Sequence, residues 1–216
     1  YVSHGTAVNV INLDTEKPVG VIDNMKGVHG IAIVNKLNRG FISDGKANAV
    51  VVFDLKTFKT ITTIALTAAN GPDAIMYEPS TKMIITCNGR SNNLSVIDPG
   101  QNKTIDSIDV GGKPETAVSD GNGKIFVNIE DKSEIVAVDI KNRKVLNHWS
   151  LKPAEGPTGL VYDKTTKRLF AGCDKMLAVV NAETGAVITT LPIGDGCDGA
   201  AFDAKNKIIF TSNGEG

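Results

Sequence analysis

Short runs of apolar residues alternate with clusters of turn-forming residues along the whole chain. One such cycle reads DAIMY, EPSTK, MIITCNG, NLSVID, PGQNK and TIDSIDV in chain order. The apolar and alternating runs are typical of β-strands, and the Pro, Gly, Asn and Asp clusters between them are typical of turns. The pattern predicts a four-stranded antiparallel sheet for each cycle.

The third run of each cycle is apolar at successive positions, as in NAVVVFD and EIVAVD. A sheet with one face in water needs apolar residues on the other face only, so continuous apolar runs indicate strands that are covered on both faces. We therefore expect each sheet to lie between neighbouring sheets.

Three phrases recur with one period of about 42 residues. The phrase of the second run begins at Tyr1, Phe41, Ile85, Phe126, Phe170 and Phe210. The third run ends at Asn12, Asp54, Asp98, Asp139 and Asn181. The first run carries a variable polar residue, named here the inner column, at His29, Asp73, Glu115, Thr158 and Asp198. Because three phrases share one period, the chain is interpreted as a structural repeat.

Small residues follow the inner column, and lysines lie near the start of four of the five fourth runs. The small residues are Gly30, Ala74, Thr116, Gly159 and Gly199, and the lysines are Lys17, Lys59, Lys103 and Lys144. Sheets that converge on an axis have room only for small side chains on their first strands, and lysine commonly protects an exposed edge strand. The sequence therefore predicts an all-β β-propeller. A stacked solenoid is the structural alternative, but it does not explain why small residues lie on the first strands and lysines on the fourth.

The repeat divides the chain into blades of one incomplete propeller domain, 1–216. The predicted blades cover residues 29–72, 73–114, 115–157 and 158–197, with partial blades at 1–28 and 198–216. The sequence begins with the second strand of one blade and ends with the second strand of another, which predicts 21 strands in all. The chain is thus about five blades in size.

The phrases YVSH, FISD, FVNI and FTSN, followed by VIN, VFD or VID, carry a family resemblance. The sequence resembles the YVTN-repeat β-propellers, of which the YncE-like proteins are typical. The segments NGRSNNLSVID and IGDGCDGAAFD resemble a bacterial exported subgroup of that family. The resemblance implies a seven-bladed ring, of which this chain is a fragment, and a periplasmic or secreted location. Because some relatives are described as lactonase-like, it also implies a hydrolase as an alternative function.

The composition of the chain argues against several classes of protein. The chain has 216 residues and a formal net charge of -1, which argues against binding nucleic acid by bulk electrostatics. No apolar run reaches the roughly 18 residues of a membrane-spanning helix. Three cysteines are too few for a disulfide scaffold; Cys173 and Cys197 are either a pair or two separate buried thiols. No cofactor-binding motif is present, and Trp149 is expected to pack rather than to bind a cofactor.

The candidate site lies at the positions where the residue type differs from one repeat to the next. Loops that enter the first strand and leave the second share one edge of each sheet, named here the upper edge, and the other hairpins form the lower edge. Acidic residues prevail at the upper edge and basic residues at the lower edge. The candidate ligand-binding residues are His29, Asp73, Arg90, Glu115 and Asp198. Three interpretations stay open: a solvated rim, a site for a polar or cationic ligand or partner protein, and a divalent-cation site at the channel mouth.

Three functions follow from these residues. The preferred hypothesis is a non-enzymatic propeller that binds a small polar or cationic ligand, or a protein partner, at its upper edge. The alternative is a lactonase-type hydrolase in which His29 or Glu115 activates water and Arg90 stabilises the developing anion. A second alternative uses the basic lower edge to bind nucleic acid or an anionic surface, which requires a steep salt dependence.

Overall fold

The computed structural model describes residues 1–215, which form β-strands almost throughout. These residues contain 21 strands in six antiparallel sheets. In chain order the sheets have three, four, four, four, four and two strands, and strands that are consecutive in sequence pair with each other. The structure confirms the all-β class and the predicted series of strands.

The chain forms two compact units, Tyr1–Ile108 and a second unit that begins at Asp109. The strands of the first unit are β1 (Val2–His4), β2 (Ala7–Asn12), β3 (Lys17–Ile22), β4 (Val28–Val34), β5 (Arg39–Asp44), β6 (Ala49–Asp54), β7 (Thr60–Ala65), β8 (Pro72–Glu78), β9 (Met83–Asn88), β10 (Asn93–Asp98) and β11 (Lys103–Asp109). Its sheets are β1–β3, β4–β7 and β8–β11.

The second unit repeats the same arrangement. Its strands are β12 (Pro114–Ser119), β13 (Lys124–Ile129), β14 (Glu134–Asp139), β15 (Lys144–Ser150), β16 (Leu160–Asp163), β17 (Arg168–Cys173), β18 (Met176–Asn181), β19 (Val187–Pro192), β20 (Cys197–Asp203) and β21 (Ile208–Asn213). Its sheets are β12–β15, β16–β19 and β20–β21. Two short 3₁₀ helices, Asn35–Leu37 and Glu130–Lys132, complete the secondary structure of residues 1–215. No helix in these residues is long and apolar enough to cross a membrane.

The middle strands of the complete sheets carry most of the buried residues. In β6 every residue except Asp54 is buried, and in β14 the four central residues are buried. The last strands are more open: five residues of β15 are exposed and the other two are half-buried. This gradient confirms that the continuous apolar runs mark strands covered on both faces.

Aromatic residues fill the core of each unit. Phe41 and Phe53 are fully buried in the first unit, and Gly40 leaves the space that the Phe53 ring occupies. In the second unit the rings of Phe126 and Trp149 stack with their centroids 5.8 Å apart. Trp149 therefore packs against the core, as its position on a fourth strand predicts.

The repeated Asp or Asn at the end of each third strand closes the hairpin that follows. Asn12 Oδ1 accepts hydrogen bonds from the amides two and three residues later, both at 2.9 Å. Asp54 and Asn181 accept the corresponding pairs of bonds. Backbone hydrogen bonding from Thr57 lowers the pKa of Asp54 below its usual range. The phrase that ends in Asp or Asn is therefore a turn signal, because such side chains bind the backbone ahead of them.

First strands approach each other closely within each unit. A Cβ atom on Gly30 of β4 would lie 3.0 Å from the Ile75 amide nitrogen of β8. A Cβ atom on Gly159, just before β16, would lie 2.6 Å from backbone atoms of Gly199 and Ala200 in β20. Small residues follow the inner column because neighbouring backbone occupies the space.

Candidate functional site

Four of the five inner-column residues lie in β-bulges. In β4, Val28 pairs with Asp44 and Ile31 pairs with Ile42, so His29 and Gly30 together face one residue of β5. The register shifts at the same place in β8, β12 and β20, around Asp73, Glu115 and Asp198. A bulge leaves one residue outside the regular ladder and can redirect its side chain, which is why bulges are frequent next to active sites.

Side chains of two second strands, β5 and β13, bind the backbone of a neighbouring first strand. Ser43 of β5 accepts a hydrogen bond from the Gly30 amide at 2.9 Å and donates one to the Asp73 carbonyl oxygen of the next sheet. Asn128 of β13 donates to the carbonyl oxygens of Thr158 and Gly159. These bonds satisfy buried and part-buried backbone groups and join the second strands β5 and β13 to the neighbouring first strand.

In the first unit the structure brings His29 and Asp73 together. Nδ1 of His29 lies 3.2 Å from Oδ1 of Asp73, and about half of each side chain is exposed. The imidazole lies over Gly45, where a Cβ atom would be 2.9 Å from Nε2 of His29. The carboxylate thus engages one ring nitrogen, and the absence of a side chain at Gly45 leaves room for the ring.

Arg90 belongs to a series of cations that the sequence analysis missed. Its side chain covers Gly71, two residues before Asp73, where a Cβ atom would lie 3.0 Å from Arg90 Cγ. Lys46 covers Gly27 in the same way, and Lys132 lies over Gly112 together with Ile129 and Asp131. These cations recur with the period of the chain, directly after the second strand, in DGK, NGR and EDK. This regular spacing in the sequence could have revealed the series of cations.

In the second unit Glu115 is bound by a lysine that the sequence analysis also missed. Nζ of Lys113 lies 2.8 Å from Oε1 of Glu115 and also pairs with Glu130, the first residue after β13. Hydrogen bonds from Lys113 to Glu115 and Glu130 raise the pKa of Lys113 above its ordinary value. Glu115 is therefore part of an ion-pair network rather than an isolated carboxylate.

Thr158 and Asp198 differ from each other in accessibility. The Thr158 hydroxyl donates a hydrogen bond to the Cys197 carbonyl oxygen, so this inner-column residue serves the backbone of the next sheet. Asp198 follows Cys197 directly and is exposed. Of these two residues, Asp198 is the one open to a ligand.

Two acidic groups at the upper edge hold its loops. Asp44 is 3% exposed and accepts hydrogen bonds from the amides of Lys26 and Gly27 at 2.8 and 2.9 Å. In the second unit, Asp131 accepts one from the Lys113 amide at 2.7 Å. Carboxylates that bind backbone amides at this position fix the loop before the first strand.

The charge of the upper edge differs between the units. In the first unit Asp23, Asp44 and Asp73 are matched by Lys26, Lys46 and Arg90. In the second unit the acids are Asp109, Glu115, Glu130, Asp131, Glu155, Asp174, Asp195, Asp198 and Glu215, and the cations are Lys113, Lys132, Lys152 and Lys175. The predicted excess of acids is a property of the second unit.

The grouping of possible metal ligands and the state of the cysteine thiols limit the reactions that the site could support. Within residues 1–215, no three His, Cys, Asp or Glu side chains are grouped so that they could hold a metal ion. Cys173 and Cys197 are both buried and form no disulfide, which confirms two separate buried thiols. Burial raises the pKa of Cys173 to about 12, so this thiol is protonated at neutral pH.

Comparisons with known proteins show a similarity of structure but none of sequence family. No protein-family model matches the chain, and no curated protein matches it. The structure is similar to a solved structure titled Kuenenia stuttgartiensis hydrazine synthase, with a TM-score of 0.85 over 96% of this chain and 67% of that chain. The two are 17% identical in sequence. The likeness is one of fold.

Proposed function

We propose that the chain is part of a β-propeller that binds a small polar or cationic ligand, or a partner protein, at its upper edge without catalysing a reaction. In this proposal it is a fragment of a seven-bladed, exported propeller of the YVTN-repeat type. The observation that carries the binding function is the bulge repeated at His29, Asp73, Glu115 and Asp198. The same backbone device presents a histidine in one sheet and an acidic side chain in the other three.

The charges of the second unit favour a cationic ligand there. Asp198 is exposed, and acids outnumber lysines along this upper edge. Such a surface attracts a cation through the summed field of its carboxylates, even where individual pairs such as Lys113 and Glu115 are neutral. A polyamine suits this surface better than a metal ion, because its charges are spread along a chain.

The proposal is tested by titrating the protein with spermidine in a calorimeter at low salt. We expect weak binding that is lost in a variant carrying Asp73→Asn, Glu115→Gln and Asp198→Asn. A matched control carries Asp14→Asn, Glu16→Gln and Glu183→Gln, three exposed lower-edge residues whose change removes the same total charge. Equal binding by both variants would contradict an upper-edge site.

The hydrolase is retained as a second candidate because of the pair His29 and Asp73. A carboxylate at Nδ1 can orient an imidazole so that Nε2 accepts a proton from water. The nearest hydroxyl on the partner strand is that of Ser43, which is fully buried and donates to a backbone carbonyl, so it is not placed as a nucleophile. The candidate mechanism is therefore attack by water.

Lactone hydrolysis separates the two functions. If the protein is a hydrolase, turnover of simple lactones disappears in folded His29→Gln and Asp73→Asn variants, while Glu115→Gln tests the other candidate base. If it is a binding protein, the wild type hydrolyses lactones no faster than buffer. Turnover that vanishes in these folded variants would replace the binding proposal.

A further inference from the structure

The lower edge of the first unit contains a cavity that the proposed function does not use. Its volume is about 370 Å³, and it lies beside the 3₁₀ helix Asn35–Leu37, the β8–β9 hairpin and the β10–β11 hairpin. Sites for small molecules typically measure about 300 to 1,000 Å³. The cavity is therefore large enough for a small organic ligand.

Apolar groups form much of the cavity wall. Leu37, Tyr77, Met83 and Pro99 all line it. Leu37 is 39% exposed, so part of its apolar surface lies at the solvent boundary of the cavity. An aromatic ring or a branched alkyl group would cover this surface.

The polar groups of the cavity favour an anion. Its acidic residue, Asp98, already accepts hydrogen bonds from the amides of Gly100 and Gln101, at 2.8 and 3.1 Å, and from the Gln101 side chain. Lys36 and Lys82 also line the cavity and are exposed. No carboxylate within residues 1–215 forms an ion pair with either lysine. The cations are available to a ligand, whereas the carboxylate is occupied by the protein.

We propose that this cavity binds a small organic anion with an aromatic body. The carboxylate of the ligand interacts with Lys36 and Lys82, and its ring packs against Tyr77 and Met83. This lower-edge site is independent of the upper edge, so the two can be tested separately.

The chain offers a direct probe of this cavity. It has four methionines, so labelling their methyl carbons gives four signals in an NMR spectrum, and Met83→Leu identifies the signal of Met83. We expect 2-naphthoate to shift the Met83 signal and leave the other three in place. The uncharged 2-naphthamide, which has the same ring system, should bind about tenfold more weakly.

Matched variants test the apolar and charged groups in turn. Leu37→Glu should abolish the naphthoate shift, whereas Ile61→Glu, which changes another exposed apolar residue of this unit, should leave it intact. The double variant Lys36→Gln, Lys82→Gln should raise the dissociation constant about tenfold, and Lys59→Gln should not. Each variant is first checked by circular dichroism for an unchanged fold.

Three results would overturn the proposal. The first is the absence of a Met83 shift at millimolar naphthoate. The second is an equal response to naphthoate and naphthamide, which would show an apolar pocket without anion selectivity. The third is a Met83 shift caused by a single-stranded oligonucleotide but not by naphthoate, which would assign the lysines to a macromolecular anion.

Discussion

At the upper edge of the first unit, His29 and Asp73 bind each other, whereas in the second unit Lys113 binds Glu115 and Glu130. Both arrangements rest on the same bulged first strand and on a carboxylate that binds the preceding loop. The comparison separates two roles within one repeat. The backbone and its supporting hydrogen bonds recur, while the side chains at the bulges change from unit to unit.

The largest expected difference between the units concerns their first strands. Gly159→Ala should lower the free energy of unfolding of the second unit by about 3 kcal/mol, because the new Cβ would meet fixed backbone at 2.6 Å. Gly30→Ala should lower that of the first unit by about 1 kcal/mol, since its nearest atoms lie at 3.0 Å. Urea unfolding followed by Trp149 fluorescence reports the second unit, and hydrogen exchange reports the first. Equal losses of free energy would show that both sites accommodate an added Cβ atom equally well.

The next largest difference concerns the carboxylates that hold the loops. Asp44→Ala should lower the free energy of unfolding of the first unit by about 3 kcal/mol, because it removes a buried carboxylate and leaves the buried Gly27 amide and the part-buried Lys26 amide without their acceptor. Asp131→Ala should lower that of the second unit by about 1 kcal/mol, because Asp131 is exposed and water can replace it. Hydrogen exchange of the amides of Gly27 and Lys113 measures both effects locally. Faster exchange at Lys113 than at Gly27 in the respective variants would reverse this ranking.

A smaller effect is expected from the ion pairs themselves. Lys113→Gln should cost at most about 1 kcal/mol at low salt and less at high salt, because the side chain is 45% exposed and screened by solvent. Folding raises the pKa of Lys113, so its contribution is complete below the unfolded pKa of about 10.5 and declines as the pH rises beyond it. His29→Gln should cost no more than about 0.5 kcal/mol. Denaturation at two salt concentrations and at alkaline pH measures these effects. A loss for Lys113→Gln that is unaffected by salt would indicate packing rather than charge.

The smallest effect should be the same in both units. Backbone hydrogen bonds from Thr57 and Asn142 lower the pKa values of Asp54 and Asp139, respectively, below 3.8. The stability they contribute is present above that pH and is lost as the pH falls through the lower, folded-state pKa. Carboxyl-carbon NMR titration should therefore give midpoints below 3.8 for both residues. A midpoint at or above 3.8 for either residue would mean that its hairpin opens in solution.

The sequence predicts much of the fold because the relevant signals are local. Apolar runs identify the buried middle strands, and small residues such as Gly30 and Gly159 mark the close approach of first strands. The bulges could not be predicted, since an extra residue is defined only by the register of the partner strand. The contact between Lys113 and Glu130 likewise depends on strand pairing. The assignment of a ligand to the upper edge stays a prediction.

The Asp and Asn residues that close the lower-edge hairpins have a consequence for protein engineering. The side chains of Asn12 and Asp54 hold these turns through bonds to the amides two and three residues ahead, and at Asp54 the side chain of Asn38 donates one further bond. Exposed turns of this kind tolerate exchange of their sequence, because few contacts depend on them. Foreign peptide loops can therefore be grafted between the third and fourth strands of successive repeats, which makes the chain a scaffold for displaying several epitopes at regular intervals.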